Sequence, residues 1–312
     1  MSFIKKITNN EMVDISLLSI EELDILHYEE EAFVAEQVLK LLPFSKEREL
    51  LLKTGYDLVF KILNERQRKE KRVIHRNGVT HNNVNILCAL IKNKIKANER
   101  DVVLFEAGAG SGFAINRVLK KCNSPKLFIK ACDICISDNL RRIENQFLNV
   151  ELKQMGLYQS LKELSDNSVD IFYADNVIEH LIPDESGIIF SEIAKKLKPD
   201  GFVLLIIPNK HLGPGDISMK FLPFGEKARG FHFMELSFNE ITKIMNKYNV
   251  HHIACAFRIS KEKGFIIKSK YLVKIKLKLE NFYKKIPNKF IRRCMFAFGG
   301  YTISIMKIKK VM

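Results

Sequence analysis

The sequence lacks any apolar run long enough to span a bilayer, because its longest unbroken apolar runs are short, such as Phe202 to Pro208. Its first residues, MSFIKKITNNEMVD, also lack the apolar core of a secretory signal. We therefore expect a cytoplasmic protein. With 312 residues, the chain is long enough for one large domain or for a core domain with additions.

Cysteine pairs at metal-site spacing are missing as well. The six cysteines are scattered, which favours reduced and mostly buried thiols. Cys132 and Cys135 form a CxxC pair, but no second pair stands at the spacing of a zinc site. We therefore expect these thiols to pack in the core, and we expect no metal site.

Acidic residues are scarce in the last part of the chain. From Lys261 to Met312, fifteen Lys or Arg residues stand against two Glu, a local net charge of +13, so only +2 of the total of +15 remains for the other residues. This imbalance indicates a localised anionic partner, such as a membrane surface or a nucleic acid.

Two kinds of periodicity divide the chain near Asp101. Helical spacing before that residue predicts helices at about 11–42, 46–72 and 82–94, and we assign residues 1–98 to an N-terminal helical region. After it, apolar runs predict strands that alternate with helices; the strands are 102–106, 126–132, 149–154, 169–174 and 202–207, and the helices are 112–122, 137–147 and 186–197. This alternation predicts a parallel sheet that binds its ligand at the carboxyl ends of the strands.

A glycine-rich loop follows the first of these strands, in the stretch LFEAGAGSGF (104–113). A phosphate-binding P-loop is excluded, because Phe113 rather than Lys follows the last glycine. The spacing is also one residue short of a dinucleotide-binding GxGxxG. Glu106 at the end of the strand would repel a pyrophosphate, whereas it suits a cationic ligand.

An acidic residue followed by GxGxG resembles motif I of the class I S-adenosylmethionine-dependent methyltransferases. The resemblance continues in order through KLFIKACDI (126–134), LSDNSVDIFYADNVIEHL (164–181), IAKKLKPDGFVLLIIPN (193–209) and HFMELSFNEITKIMNKYNV (232–250). The resemblance covers about residues 100–258. Within the family, the chain resembles the small-molecule, lipid and glycan methyltransferases of the ubiquinone-biosynthesis type.

This resemblance implies an α/β fold with a Rossmann-like, seven-stranded, mostly parallel sheet and an antiparallel last strand. It places a methyltransferase domain at 99–312, with 251–259 and 301–309 as the last two strands. It also implies S-adenosyl-L-methionine as cofactor, with Asp133 on the ribose. The other residues expected at the cofactor are Glu106, Gly108, Ala109, Gly110, Ser111, Gly112, Ile134, Gly156, Leu157, Asp175 and Asn176.

One position departs from the family pattern. The family usually has Gly-Asp after its third strand, with Asp on the adenine amino group, whereas this chain has Gly156-Leu157. Leu157 cannot supply that hydrogen bond, so we expect backbone groups and apolar stacking to hold the adenine. Because this acidic residue is missing, a second interpretation stays open, in which the protein binds the cofactor but is catalytically inactive.

The acceptor is less defined than the cofactor. The Asn/Asp-Pro-Pro-aromatic pattern of adenine N6 methyltransferases and the cysteine of cytosine C5 enzymes are both absent. We therefore expect O-methylation of a small-molecule, glycan or lipid-linked acceptor, with RNA methylation as the alternative. His180 and His232 are the candidate bases, since histidine titrates near neutral pH. His251 and His252 are expected at the surface.

Two segments are expected around the acceptor. The long Gly- and Pro-rich loop 209–233 and the N-terminal helices are the predicted cover. Lys210, His211, Lys227 and Arg229 in that loop are candidates to hold an anionic group.

A basic insertion at about 260–299 separates the last two strands. Val273 to Leu279 alternates like a strand, but a longer helical spacing favours two helices separated near Pro287. A basic amphipathic helix suits the inner face of a membrane or its own domain. Nucleic acid is less favoured, because no aromatic-interleaved RNA motif accompanies the lysines.

Overall fold

Two short strands precede the N-terminal helices in the computed structural model, which describes residues 2–70, 81–97, 100–258, 264–283, 285–286 and 301–308. Strand β1 (Phe3–Lys5) pairs antiparallel with β2 (Met12–Asp14). The prediction of a helix from residue 11 is therefore wrong at its start. Helix α1 (Ile20–Lys40) begins after Ser19, which forms a capping box with Glu22.

The rest of the chain alternates helices and strands. In chain order these are α2 (Lys46–Glu70), α3 (His81–Ala97), β3 (Val102–Ala107), α4 (Phe113–Cys122), β4 (Leu127–Asp133), α5 (Asp138–Gln146), β5 (Val150–Gln154), α6 (Leu157–Glu163), β6 (Val169–Asp175), α7 (Pro183–Lys196), β7 (Leu197–Pro208), α8 (Phe238–Asn246), β8 (Val250–Arg258), β9 (Gly264–Ile267), α9 (Lys270–Tyr283) and β10 (Tyr301–Ile308). Helix α6 was not predicted.

The main sheet has the strand order β5-β4-β3-β6-β7-β10-β8-β9. Strands β3 to β7 pair in parallel, whereas β10 runs antiparallel to both β7 and β8. The predicted seven-stranded, mostly parallel sheet with an antiparallel last strand is therefore confirmed. One edge strand was not predicted, since β9 adds to β8 in antiparallel orientation.

The basic insertion is only partly helical, contrary to our prediction. Its first described residues form β9, where the apolar run Phe265–Ile267 has the strand propensity that a sheet edge requires. Helix α9 follows, and the predicted break at Pro287 lies outside the described residues. The packing of α8 and α9 also explains a second correction: His252 is 7% exposed rather than a surface residue, with its ring 4.2 Å from that of Phe238.

Apolar side chains fill both faces of the sheet. On one face, α3, α4 and α5 contribute Leu87, Ile115 and Ile143. On the other face, α7 and α8 contribute Phe190 and Ile241. Helix α3, which we assigned to the N-terminal region, thus packs directly on the sheet. Among the described residues, no helix has the length and apolar character needed to cross a membrane.

Helices α1 and α2 are joined to the sheet by apolar packing and by one buried cation. Val34 and Val59 pack with Phe231 of the loop before α8. Arg48 of α2 is 2% exposed, and its Nη1 donates to Asp184 Oδ1 at 2.9 Å and to Glu185 Oε1 at 2.8 Å on α7. Loss of one partner from a buried ion pair typically costs about 3–5 kcal/mol, so Arg48 anchors α2 over the strand ends.

Candidate active site

The carboxyl ends of three neighbouring strands meet at one edge of the sheet. Ala107 of β3 pairs with Cys132 of β4 on one side and with Ala174 of β6 on the other. The residues that follow, among them Gly108, therefore lie beside those at the ends of the neighbouring strands. This edge holds the glycine loop together with the predicted acidic residues.

The glycine loop requires backbone conformations that other residues rarely adopt. Gly108, Gly110 and Gly112 have φ angles of +66°, +55° and +74°. A Cβ at Gly108 would overlap the side chain of Val177, so the backbone lies close to its neighbour. The amide of Gly108 donates to the Cys132 carbonyl at 2.8 Å, which ties the loop to β4.

Asp133 joins the loop from the end of β4. Its Oδ2 accepts from the Gly110 amide at 2.7 Å, and its Oδ1 accepts from the Cys135 amide at 2.9 Å. Burial raises the pKa of Asp133 even though these hydrogen bonds oppose the rise. A carboxylate has about four lone-pair positions, so Asp133 keeps acceptor capacity for a ligand's hydroxyls.

A cavity of about 820 Å³ opens in front of this edge. It is lined by most of the predicted site residues, namely Gly108, Gly110, Asp133, Ile134, Gly156, Leu157, Asp175, Asn176, His180 and His232. The other predicted residues, Glu106, Ala109, Ser111 and Gly112, are not among the lining residues. The cavity therefore brings the predicted cofactor loop and both candidate bases to one space.

Glu106 lies behind the glycine loop rather than in the cavity wall. It is 3% exposed, and its Oε2 has no hydrogen-bond partner among the described residues. Burial, with the charges of Asp175 and Asp133, raises its pKa well above the usual range. Its assignment to the cofactor stays a prediction, and Glu106 is not among the lining residues of the cavity.

Two side chains that the sequence did not indicate support Asp175 at the end of β6. Asn83 of α3 donates through Nδ2 to Asp175 Oδ2 at 2.8 Å, and the Tyr173 hydroxyl donates to the same oxygen at 2.9 Å. Asn83 lies 92 residues away in the chain, so no local pattern pointed to it. Through this contact, α3 supports a lining residue of the cavity.

An apolar wall stands on the opposite side of the glycine loop, where Leu157 lies. Met155, Leu157 and Tyr158 line this side of the cavity together with Phe44, whose ring lies 4.2 Å from that of Tyr158. Such a wall fits the apolar stacking expected in place of the missing family acid.

A cluster of two histidines and a glutamate forms the far wall of the cavity. One nitrogen each from His180 and His232 and one oxygen from Glu179 lie within 4.8 Å of one another. The two imidazole rings are nearly perpendicular, with centroids 4.9 Å apart. Glu179 is fully buried, and neither of its carboxylate oxygens has a hydrogen-bond partner among the described residues.

Burial and charge shift the proton affinities of this cluster in different directions. Burial raises the pKa of Glu179 to about 8 and lowers the pKa of His180 to about 3, the latter with help from His232. Burial also disfavours the charged form of His232, but its hydrogen bond to Glu235 and the charges of Glu179 and Asp216 outweigh this and raise its pKa. The charge of His232 thus affects the proton affinities of both Glu179 and His180.

The cavity is covered by α1, α2 and the loop 209–233, through residues such as His27, Tyr56 and Ile217. The Phe231 amide donates to Glu31 Oε1 of α1 at 2.7 Å, which joins the loop to the helices. The predicted cationic residues of the loop, Lys210, His211, Lys227 and Arg229, are absent from the cavity lining, whereas Lys220 of the same loop is part of it. Lys210 forms an ion pair with Glu240, and Lys227 and Arg229 are exposed and absent from the lining.

Residues 105–205 match a family model described as a methyltransferase domain, and this range runs from β3 through most of β7. The match therefore falls on the strands whose ends build the cavity. The chain therefore contains a methyltransferase domain. No curated protein matches it.

Several solved structures resemble this methyltransferase. The 1,6-didemethyltoxoflavin-N1-methyltransferase of Burkholderia thailandensis is 14% identical with a TM-score of 0.48, over 72% of this chain and 90% of that one. A methyltransferase of Aquifex aeolicus is 18% identical with a TM-score of 0.37, over 52% and 80%. Phosphoethanolamine N-methyltransferase 2 of Haemonchus contortus is 13% identical with a TM-score of 0.44, over 72% and 52%. None of these likenesses bears on the acceptor.

The residues of the methyltransferase cavity fit S-adenosylmethionine. The left-handed backbone at Gly108 and Gly110 permits close approach, Asp133 offers acceptors for ribose hydroxyls, and Leu157 lies among apolar lining residues. We expect the cofactor to span the cavity from these apolar residues toward Asp175.

Substitution of Gly110 by Val should abolish cofactor binding, because a branched side chain at φ +55° strains the loop and occupies the space of the ligand. Calorimetric titration of the wild type with S-adenosylmethionine should show affinity in the micromolar range, about −8 kcal/mol. Gly225→Val is the matched control, since Gly225 also has positive φ (+94°) but stands in open space. Wild-type affinity in Gly110→Val would contradict the site.

Proposed function

We propose that this methyltransferase methylates a hydroxyl oxygen of a small-molecule, glycan or lipid-linked acceptor, as the small-molecule branch of the family does. The observation that carries the proposal is the Glu179, His180 and His232 cluster, which shares one cavity with the cofactor loop. When S-adenosylmethionine is bound, its S–CH₃ bond breaks with the electron pair left on sulfur while the methyl carbon bonds to the acceptor oxygen. The acceptor's proton must also leave, and the cluster is where it is removed.

Each histidine of the cluster is held in place through its Nδ1 atom, which leaves Nε2 for removal of the acceptor's proton. His232 Nδ1 lies 2.9 Å from Glu235 Oε1, so Nε2 is the nitrogen left for a ligand. His180 Nδ1 lies 3.1 Å from the Phe231 carbonyl oxygen and 3.0 Å from the Tyr56 hydroxyl oxygen. A carbonyl only accepts, so this contact puts the proton of His180 on Nδ1 and leaves Nε2 as an acceptor.

The charge of the cavity favours a neutral hydroxyl acceptor over an anionic one. Its cationic lining residues already have acidic partners: Arg48 pairs with Asp184 and Glu185, and Arg66 and Lys220 both pair with Asp24. Three acidic residues, Asp133, Asp175 and Glu179, line the reaction space. A phosphate of RNA would meet repulsion there, which disfavours the competing RNA function.

The cover formed by α1, α2 and loop 209–233 is also proposed to take part in acceptor binding. It encloses the acceptor and keeps water from the reacting atoms, while the buried Arg48 holds it in place. The N-terminal region is thus the acceptor-binding part of the enzyme. The sheet, with α3 packed on it, is the cofactor-binding part.

A labelling experiment tests the reaction. Purified enzyme is incubated with [methyl-³H]S-adenosylmethionine and an extract of the source organism, which is then separated into lipid, small-molecule and RNA fractions. We expect label as an O-methyl group outside the RNA, reduced about 10²–10⁴-fold by His232→Ala. His251→Ala, a histidine of β8 far from the cavity lining, should leave incorporation unchanged. Label in RNA favours the competing function, and no label despite cofactor binding favours an inactive module.

We also propose that α9 brings the enzyme to the inner face of an anionic membrane. One face of the helix packs on the protein: Val273 is buried, and Glu280 accepts from the amides of Phe238 and Asn239 at 2.8 and 2.7 Å. The opposite side, which we call the outward face, consists of Tyr271, Lys274, Lys278 and Phe282. Its two aromatic residues are 73% and 60% exposed.

Aromatic and basic residues together on one exposed helix face are typical of helices that lie in a membrane interface. The +13 balance after residue 260 adds long-range attraction to anionic lipid. Lys276 does not contribute to the outward face, because its Nζ lies 4.3 Å from the ring centroid of Phe238. Self-packing and membrane contact, which the sequence left as alternatives, thus use opposite sides of one helix.

Flotation with lipid vesicles tests this contact. The full chain should bind vesicles containing phosphatidylglycerol but not pure phosphatidylcholine, and high salt should weaken binding. Lys270, Lys274 and Lys278 changed together to Gln should reduce binding on the order of 100-fold, at about 1 kcal/mol per lysine. The control changes Lys46, Lys53 and Lys61, three exposed lysines of α2, to Gln. If both triple variants lose vesicle binding equally, or if the wild type does not bind vesicles, α9 does not bring the enzyme to a membrane.

A further inference from the structure

The buried carboxylate of Glu179 has no hydrogen-bond partner among the described residues that would explain its position. It is 0% exposed, and both Oε1 and Oε2 lack such a partner. An isolated buried carboxylate is costly, so it is normally paired, protonated or bound to a metal ion. A ring nitrogen of His180 and one of His232 lie within 4.8 Å of a Glu179 carboxylate oxygen.

The histidines are held in the way that metal-binding histidines are usually held. Such residues bind the metal through one ring nitrogen and donate the other N–H to a carbonyl or carboxylate, which fixes the ring and its tautomer. Here His180 faces the Phe231 carbonyl and His232 faces the carboxylate of Glu235, each through Nδ1. Both Nε2 atoms therefore remain for an ion, each with its supporting partner already in place.

We propose that Glu179, His180 and His232 bind a divalent transition-metal ion of the zinc class, which holds the acceptor oxygen during methyl transfer. Two imidazoles and one carboxylate suit zinc and its neighbours, whereas magnesium prefers oxygen ligands alone. Three protein ligands leave a coordination position for a substrate, as in catalytic zinc sites. All three residues line the cavity, so that position faces the acceptor space.

Only small movements are needed to form the site. Metal–ligand bonds of about 2.0–2.1 Å place tetrahedral ligands roughly 3.3 Å apart, so atoms now within 4.8 Å must each move by less than about an ångström. Side-chain torsions of Glu179 and His232 supply such shifts. The ring of His180 is held by its contact with the Phe231 carbonyl oxygen.

This inference rests on the proposed O-methylation and states how the cluster would act in it. An acceptor hydroxyl held against the ion loses its proton more readily, as water does on zinc. With both histidines engaged as ligands, the proton leaves to solvent through the cavity mouth. The oxygen lone pair then forms the new C–O bond as the S–C bond breaks toward sulfur.

Metal titration of the full chain tests the site directly. Chelator-treated protein is titrated with Co²⁺, whose visible absorption reports its ligands, and with Zn²⁺ in competition. We expect one ion per chain, with affinity reduced about 100-fold or more by Glu179→Gln and by His232→Ala. His251→Ala should bind like the wild type. Calorimetry with S-adenosylmethionine on each variant verifies that the fold and the cofactor site persist.

Several outcomes would overturn the assignment. Absence of Co²⁺ binding by the wild type would do so. Equal Co²⁺ affinity of the wild type and Glu179→Gln would also do so, and it is expected if Glu179 only pairs with protonated His232 through water. Sulfur-to-cobalt charge transfer would place the ion on Cys132 and Cys135 instead, which also line the cavity.

Activity separates this inference from the proposed function. Full methyl transfer by the metal-free enzyme would remove the ion and leave O-methylation standing. A metal-loaded enzyme that binds cofactor but methylates no acceptor would instead defeat the proposed function, while the metal site itself remained.

Discussion

The parallel pairing of β3 with β4 and β6 is the constraint on which the rest of the site depends. Because Ala107 lies opposite Cys132 and Ala174, the first residues beyond each strand arrive at the same edge. A shift of one residue would turn every side chain of the strand to the other face of the sheet. The buried apolar side chains of β3, with Leu104 on one face and Phe105 on the other, prevent such a shift.

A second set of contacts closes the space that the strands leave open. The loop before α8 is tied to α1 through Glu31 and Phe231, and α2 is tied to α7 through Arg48. These contacts bring His232 to within reach of His180, although 52 positions separate them in the chain. Cofactor binding is therefore a property of the sheet, whereas the chemistry at the acceptor depends on how the cover is docked.

Much of the sheet could be predicted from the sequence, because its strands are short apolar runs between clear turns. Strands β3, β4, β5 and β6 begin and end within about one residue of the prediction. The glycine loop could also be predicted, because closely spaced glycines indicate a tight turn. The start of α1 was misplaced, because acidic residues before Ser19 extended the helical pattern over a short strand.

The parts that could not be predicted depend on contacts distant in the chain. Asn83 meets Asp175, and Glu31 meets the Phe231 amide, without any local pattern to indicate either contact. The burial of His252 follows from α9 packing against α8 and β8, which the composition of a basic segment does not show. The sequence indicated His180 and His232 as separate candidates. That His232 lies close to His180 and Glu179 depends on the fold of the loop before α8 and could not be predicted.

The central claim is that cofactor and acceptor meet between the glycine loop and the Glu179, His180 and His232 cluster. A crystal structure with S-adenosylhomocysteine tests it most directly, since the sulfur marks the position from which the methyl group leaves. We predict ribose hydroxyls on Asp133, adenine beside Leu157, and the sulfur facing the cluster across a space wide enough for an acceptor. A cofactor whose sulfur points away from the cluster, or whose methionine portion fills it, would contradict the account.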